Sequence, residues 1–176
     1  PVGLSLGGYV PAELTRLPPQ RLDGTALLST GPHADEERQK RIRRELVRMS
    51  TMGKFKGVTP RLLPRFLSPA ALQNETLASA VMAMGEAVGQ HNFALQQEAI
   101  MNRREQMGTL AQFHKPSLVL CGDLDELTPP ELAHEMAGVL RDAELVILPD
   151  VGHLSAMEAP DEVTVALLRL IDRIAT

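Results

Sequence analysis

Two short apolar runs, SLVLC (117–121) and AELVIL (143–148), alternate with two helical patterns toward the C-terminus. That alternation limits the possible folds more than any other feature of the chain. Each run is apolar at successive positions, as a strand buried on both faces requires. Pro129-Pro130 starts a helix carrying Leu132, Met136, Val139 and Leu140. Pro160, at a first helical position, opens another in which Val163, Leu167, Leu168, Leu170 and Ile171 are expected to form a broad inward stripe. Strand, helix, strand, helix with short links is a βαβα unit, so parallel strands and right-handed crossovers are expected. At 176 residues the chain is long enough to bury a core as one α/β domain.

The N-terminal part adds another strand candidate, Thr25–Thr30, ended by Gly31-Pro32. Residues 6–17 read as a helix closed by Pro18-Pro19, with a late start or kink at Pro11. From about 34 to 112 the pattern turns helical. Ile42, Leu46 and Met49 share one face behind an acidic first turn of Asp35, Glu36 and Glu37. Thr59-Pro60 opens a shorter helical stretch, RLLPRFL, interrupted by Pro64. Asn74 caps a helix with Leu77, Val81, Met84 and Val88 on one face, and a further helix runs over 90–102 with Phe93, Gln97, Ile100 and Met101 inward. Six of the 8 Met residues fall in this block, which suits an adaptable apolar lining as well as ordinary core filling.

Composition removes several function classes. A net charge of −4 and five aromatic residues (four Phe, one Tyr) leave neither a basic surface for phosphates nor a base-stacking platform, so no nucleic-acid partner is expected. No apolar run approaches a membrane span, so no membrane partner is expected. The single cysteine, Cys121, excludes an internal disulfide framework and suits a reducing, cytoplasmic setting; at a strand end its role reads as structural. His33, His91, His114 and His134 have no metal-ligand spacing and read as surface or packing residues. The basic stretch Arg38–Arg48 is interleaved with carboxylates and reads as a solvated helix face.

Three stretches carry chemistry. Gly3-Leu4-Ser5-Leu6-Gly7 has the Gly-x-Ser-x-Gly pattern of a strand-to-helix turn that exposes a serine, although a plain Gly-rich turn fits the same five residues. A serine hydroxyl needs a base and a group that orients the base. Functional groups of open α/β sheets gather beyond the carboxyl ends of strands. After SLVLC come Gly122, Asp123, Asp125, Glu126 and Pro129; after AELVIL come Asp150, read as a turn-former, and His153. An acid and a histidine thus leave the same sheet edge, in the order serine, acid, histidine.

On these three stretches, GLSLGG, LVLCGDLDELTPP and VILPDVGHLSAMEAPDEV, the chain resembles the α/β-hydrolase family over its whole length. The family's acid loop reads Gly-x-x-Asp-x-x-x-Pro, and Gly122, Asp125 and Pro129 match it, so the resemblance selects Asp125 over Asp123 and Glu126. It implies Ser5 as nucleophile, His153 as general base and acid, and the backbone N–H of Leu6 in an oxyanion hole. Asp123 reads as a turn-former or as a group supporting the three reacting residues from behind. The implied division is 1–32 for the serine turn, helix and strand of the core, 33–112 for a helical cap, and 113–176 for the βαβα half with the acid and histidine loops. The implied activity is hydrolysis of a small apolar ester, lactone or related carbonyl compound through an acyl-enzyme, with no cofactor and no metal. Carbon–carbon bond hydrolysis, enol-lactone opening and cofactor-free perhydrolysis would use the same three groups, and a catalytically incomplete interaction module is the remaining alternative.

The family's domain carries about another hundred residues ahead of the serine turn, including strands and a second oxyanion donor. The chain is therefore expected to be the C-terminal portion of a longer hydrolase, nearly inert by itself. Ser5 is expected to lack a strand to anchor it, and the strand at 25–30 to form an open edge prone to self-association or strand pairing.

Overall fold

The computed structural model describes residues 1–175. Val2–Leu4 (β1) is followed by Tyr9–Leu14 (α1) and Thr25–Leu28 (β2). Glu37–Ser50 (α2), Glu75–Asn102 (α3) and Met107–Leu110 (α4) come next, as a helical insertion between two strands. Ser117–Gly122 (β3), Pro130–Val139 (α5), Ala143–Leu148 (β4), Ser155–Glu158 (α6) and Pro160–Ala175 (α7) follow. The strands form one parallel sheet in the order β1-β2-β3-β4, with helices on both faces. No helix among the described residues is long and apolar enough to cross a membrane.

Strand alternation sorts the core into two layers. Ala26, Leu28, Leu118 and Leu120 face α7, where Val163, Ala166 and Leu170 close the layer. Leu27, Val119 and Cys121 face the other way, against Ala12 of α1, Leu110 and Phe113, and Ala133, Met136 and Leu140 at α5. The stripe of α7 is narrower than its composition implied: Leu168 and Ile171 are exposed, because Ala166 and Leu167 hold the positions nearest the sheet.

The N-terminal expectation is corrected. Val2, Gly3 and Leu4 pair with Ala26, Leu27 and Leu28, so Ser5 directly follows a hydrogen-bonded strand. The strand over 25–28 is interior and fully buried, and β1 forms that edge of the sheet. Three extended residues are enough because they satisfy the ladder that an open β2 would leave unpaired. Beyond Ser5 the helix expected over 6–17 splits into a 3-10 turn, Ser5–Gly8, and α1. Pro11 falls in the first turn of α1, where its missing N–H removes no helical hydrogen bond.

The helical insertion differs more. Helix α2 starts with a reciprocal cap between Glu36 and Gln39, but its apolar face points outward: Ile42, Leu46 and Met49 are 53%, 45% and 56% exposed. Its inner side is polar. Arg43 of α2 and Arg103 beyond α3 both pair with the buried carboxylate of Asp35, at 2.5 and 2.8 Å, and Arg43 also donates to Gln97 at 3.1 Å. A carboxylate buried away from water must be paired, so the arginine side of α2 turns inward and the apolar stripe is left outside. RLLPRFL forms only a 3-10 turn, Leu63–Arg65, since Pro64 cannot sit inside a longer helix. The two helices expected on either side of residue 89 are both present, as the two halves of α3; they meet at Gly89, whose φ of 73° is non-helical and suits a residue without a Cβ. Asn74 caps α3 as expected, its side chain accepting from the Leu77 N–H at 3.1 Å.

His33, expected to be a surface or packing residue, ties three elements together. Its Nδ1 lies 3.2 Å from both carboxylate oxygens of Glu105, and its Nε2 lies 2.6 Å from Glu135 of α5. The hydrogen bond that the ring donates to Glu135 leads in holding the imidazole above its ordinary pKa, Glu105 adds to it, and partial burial opposes both. A raised folded value means the stabilisation is complete below about pH 6.5, the unfolded value, and is lost as pH climbs through the higher folded value. The loss is shallow, because the ring is half exposed. Thermal unfolding followed from about pH 6 to pH 9 is expected to show this decline in the native chain and its absence in His33→Asn.

Candidate active site

Ser5 sits where β1 turns sharply into the 3-10 turn, with φ 54°, a left-handed conformation unusual for a residue with a Cβ. The turn is tight because Gly3 and Gly8 admit close approach. A Cβ on Gly3 would lie 2.1 Å from the Gly7 carbonyl oxygen, and one on Gly8 would lie 2.6 Å from the Thr30 side chain. Thr30, buried at the end of β2, donates its hydroxyl to the Ser5 carbonyl at 2.8 Å and pins the turn to the sheet.

Asp125 and His153 leave the C-terminal edges of β3 and β4. Their loops are laced together: Asp123 N–H donates to Leu148 at 2.9 Å and Leu124 N–H to Val151 at 3.0 Å. Asp150, with φ 59°, makes the turn before His153, as expected. Asp123 and Glu126 are exposed, whereas Asp125 is 3% exposed.

The three side chains meet in a line. Ser5 Oγ is 2.7 Å from His153 Nε2, and His153 Nδ1 is 3.0 and 2.9 Å from the two Asp125 oxygens. An ionised carboxylate only accepts, so Nδ1 carries the proton and Nε2 turns its lone pair to the serine hydroxyl. Asp125 is further held by the N–H groups of Leu127 and Thr128, both at 2.9 Å, and by the Thr128 hydroxyl at 2.8 Å. Burial pushes its carboxyl up, but the His153 hydrogen bond and charge, with the Thr128 donors, prevail and hold it below the usual carboxylate range. A depressed folded value means this carboxylate stabilises the fold above about pH 3.9 and ceases to as pH falls through the lower folded value.

The same pocket silences Cys121. Burial first, then the neighbouring Asp125 charge, push its thiol up to about 12, so the nucleophilic thiolate is absent at neutral pH.

Two neighbours carry no sequence signal. Phe66 covers the imidazole edge-on, with ring centroids 6.2 Å apart, and its carbonyl accepts from the His153 and Leu154 N–H groups, both at 3.1 Å. It lies in the proline-broken stretch, where no periodicity points to a facing partner. Thr128 stands inside the acid loop, but its hydroxyl's role depends on the loop's curl, and spacing does not report that. Leu6 follows Ser5 in the 3-10 turn and is partly buried.

A model of the alpha/beta hydrolase family matches residues 1–167. The chain belongs to that family. Lipase 1 of Psychrobacter immobilis is 34% identical over 68 residues, which are 39% of this chain and 22% of that protein. The solved structure of a thermophilic esterase from Thermogutta terrifontis superposes with a TM-score of 0.91 at 28% identity, covering 99% of this chain and 65% of the esterase. The enol-lactonase from Burkholderia xenovorans LB400, at 22% identity and a TM-score of 0.83 over 97% of this chain and 64% of that one, shares the fold. The chain thus spans less than two thirds of the length of each of these relatives. In this alpha/beta hydrolase the sheet and both surrounding layers follow the expected plan.

Proposed function

We propose that the chain carries the reacting groups of a serine hydrolase acting on a small apolar ester or lactone. The observation behind this is the unbroken hydrogen-bonded line from Ser5 Oγ through His153 to Asp125. Ser5 Oγ attacks the carbonyl carbon as its proton passes to His153 Nε2, and Asp125 stabilises the imidazolium while fixing its tautomer. The tetrahedral intermediate expels the alcohol, which takes the proton from Nε2. Water, deprotonated by the same nitrogen, then attacks the acyl-enzyme and releases the acid. The Leu6 N–H supplies one donor to the developing oxyanion, a contribution of roughly 10²–10³ in rate at comparable sites.

The helical insertion acts as a cap in this reading. Phe66, Leu154 and Met157 form an apolar wall beside His153, which favours an apolar acyl or alcohol group. A lipase and an esterase are among the relatives, and ester hydrolysis involves the same bond changes. The single, buried cysteine suits the cytoplasm. The β1 edge, with Val2 exposed, is a place for a further strand from this or another chain to pair.

A fluorophosphonate probe tests the reading. Wild-type chain is expected to gain one covalent adduct, mapped by mass spectrometry to Ser5, and Ser5→Ala none. Equal labelling of both, or an adduct elsewhere, would remove Ser5 as nucleophile.

A further inference from the structure

The junction between the helical insertion and the histidine loop is built around one carboxylate that the chemistry above does not use. Glu158, at the end of α6, accepts through Oε2 from the backbone N–H of Ser68 at 2.9 Å and from that of Gly152 at 3.1 Å. Ser68 belongs to the insertion, and Gly152 is the residue immediately before His153. Its other oxygen, Oε1, is shut off from solvent and finds no hydrogen-bond partner among the described residues. A carboxylate with one oxygen shut off from solvent and unpartnered is costly, although the residue as a whole is only partly buried. The cost is offset by the two backbone amides it joins, since neither has another acceptor among the described residues.

The packing there leaves no slack. A Cβ on Gly152 would lie 2.7 Å from Ser68 N, 2.9 Å from Glu158 Oε1 and 2.9 Å from the Leu67 carbonyl carbon. The insertion therefore passes flush against the loop, and Phe66 two residues earlier takes both the His153 and Leu154 N–H groups on its carbonyl. The backbone on both sides of the imidazole is fixed to the insertion, and Glu158 is the side chain that closes the joint.

We infer that Glu158 is a positioning residue: by holding Ser68 and Gly152 to one oxygen it makes the seat of the insertion set the placement of the His153 ring between Ser5 and Asp125. The inference rests on the proposed roles of these three residues. It touches neither substrate nor reacting atoms, and it acts through the Gly152–His153 backbone. The insertion and the imidazole are thereby coupled, so a displacement of residues 66–68 moves the base.

The experiment compares Glu158→Ala and Glu158→Gln with wild-type chain by two readouts: the rate of fluorophosphonate attachment to Ser5 per folded molecule, and hydrogen exchange at the Ser68 and Gly152 amides. Glutamine keeps an acceptor at the Oε2 position, so E158Q is expected to label within about threefold of wild type, even with a lowered melting temperature. E158A is expected to label at least about tenfold more slowly, since a displacement of about 1 Å costs as much as 10²-fold. Both amides should lose protection together in E158A and keep it in E158Q. Should E158A not fold, Glu158→Asp replaces it: it keeps the charge but is one methylene too short to reach both amides. Labelling of E158A at the wild-type rate, equal slowing in E158A and E158Q, or loss of protection at only one amide would overturn the inference. If wild-type Ser5 takes no label, the hydrolase roles fail on their own, and joint amide exchange still decides whether Glu158 couples the two segments.

Discussion

Asp125→Asn is expected to slow fluorophosphonate attachment to Ser5 by about 10⁴-fold while leaving the sheet intact. The reason is a forced change of tautomer. Oδ1 must remain an acceptor, because the Leu127 and Thr128 N–H groups both point at it from 2.9 Å. An asparagine placed there turns its NH₂ toward the position of Oδ2, which faces the Thr128 hydroxyl at 2.8 Å and His153 Nδ1 at 2.9 Å. Oδ1 also lies 3.0 Å from Nδ1, but its two lone pairs are taken by the backbone N–H groups. Nδ1 would therefore accept from the NH₂, and the ring proton would move to Nε2, where it would confront the serine hydroxyl instead of receiving its proton. Rates measured for wild type, D125N and Ser5→Ala, with circular dichroism as a control for folding, check this. A D125N rate within tenfold of wild type would mean that Asp125 does not set the tautomer.

Gly3→Ala is expected to cost about 3 kcal/mol or more of stability and to abolish Ser5 labelling. The added Cβ would stand 2.1 Å from the Gly7 carbonyl oxygen, 2.5 Å from its carbon and 2.8 Å from Gly8 N, all backbone atoms that no rotamer change can move aside. The chain would have to open the turn, and with it the left-handed Ser5 conformation. Gly7→Ala is the control: a Cβ there meets nothing within 4 Å, so a change within about 0.5 kcal/mol is expected. Urea unfolding midpoints of the two variants give the comparison. Of the glycines around this serine, Gly3 and Gly8 are demanded by contacts of the fold, and Gly7 is not.

What was legible in the sequence was whatever depends on local pattern. SLVLCG and AELVIL announced strands because a strand covered on both faces has to be apolar at each position, and both lie in the sheet as parallel neighbours. The loops after parallel neighbours emerge on one edge, so an acid and a histidine there are readable from the sequence. Asn74 was readable as a cap because its chemistry is satisfied within three residues.

What was not legible depends on a distant partner. Periodicity groups Ile42, Leu46 and Met49 on one face of α2, but it does not say what that face meets; Asp35, Arg43 and Arg103 decide the orientation instead. The pairing of β1 has no sequence signal, because three residues carry too little pattern for a strand, although an unpaired β2 edge is enough to recruit them. The bridge from His33 to Glu105 and Glu135 spans 72 and 102 positions, and Phe66 reaches His153 from the proline-broken stretch. None of these has a sequence signature shorter than the fold itself.

The hydroxyl and the imidazole that share a hydrogen bond are 148 positions apart. At a translation rate of about 5–20 residues per second, the histidine is made roughly 7–30 s after the serine. Throughout that delay the newborn polypeptide holds an alcohol as unreactive as any in solution. In the proposed mechanism, chemical competence then arises only once β4 and the loop after it have docked, so a chain in which they are not yet seated cannot attack its surroundings.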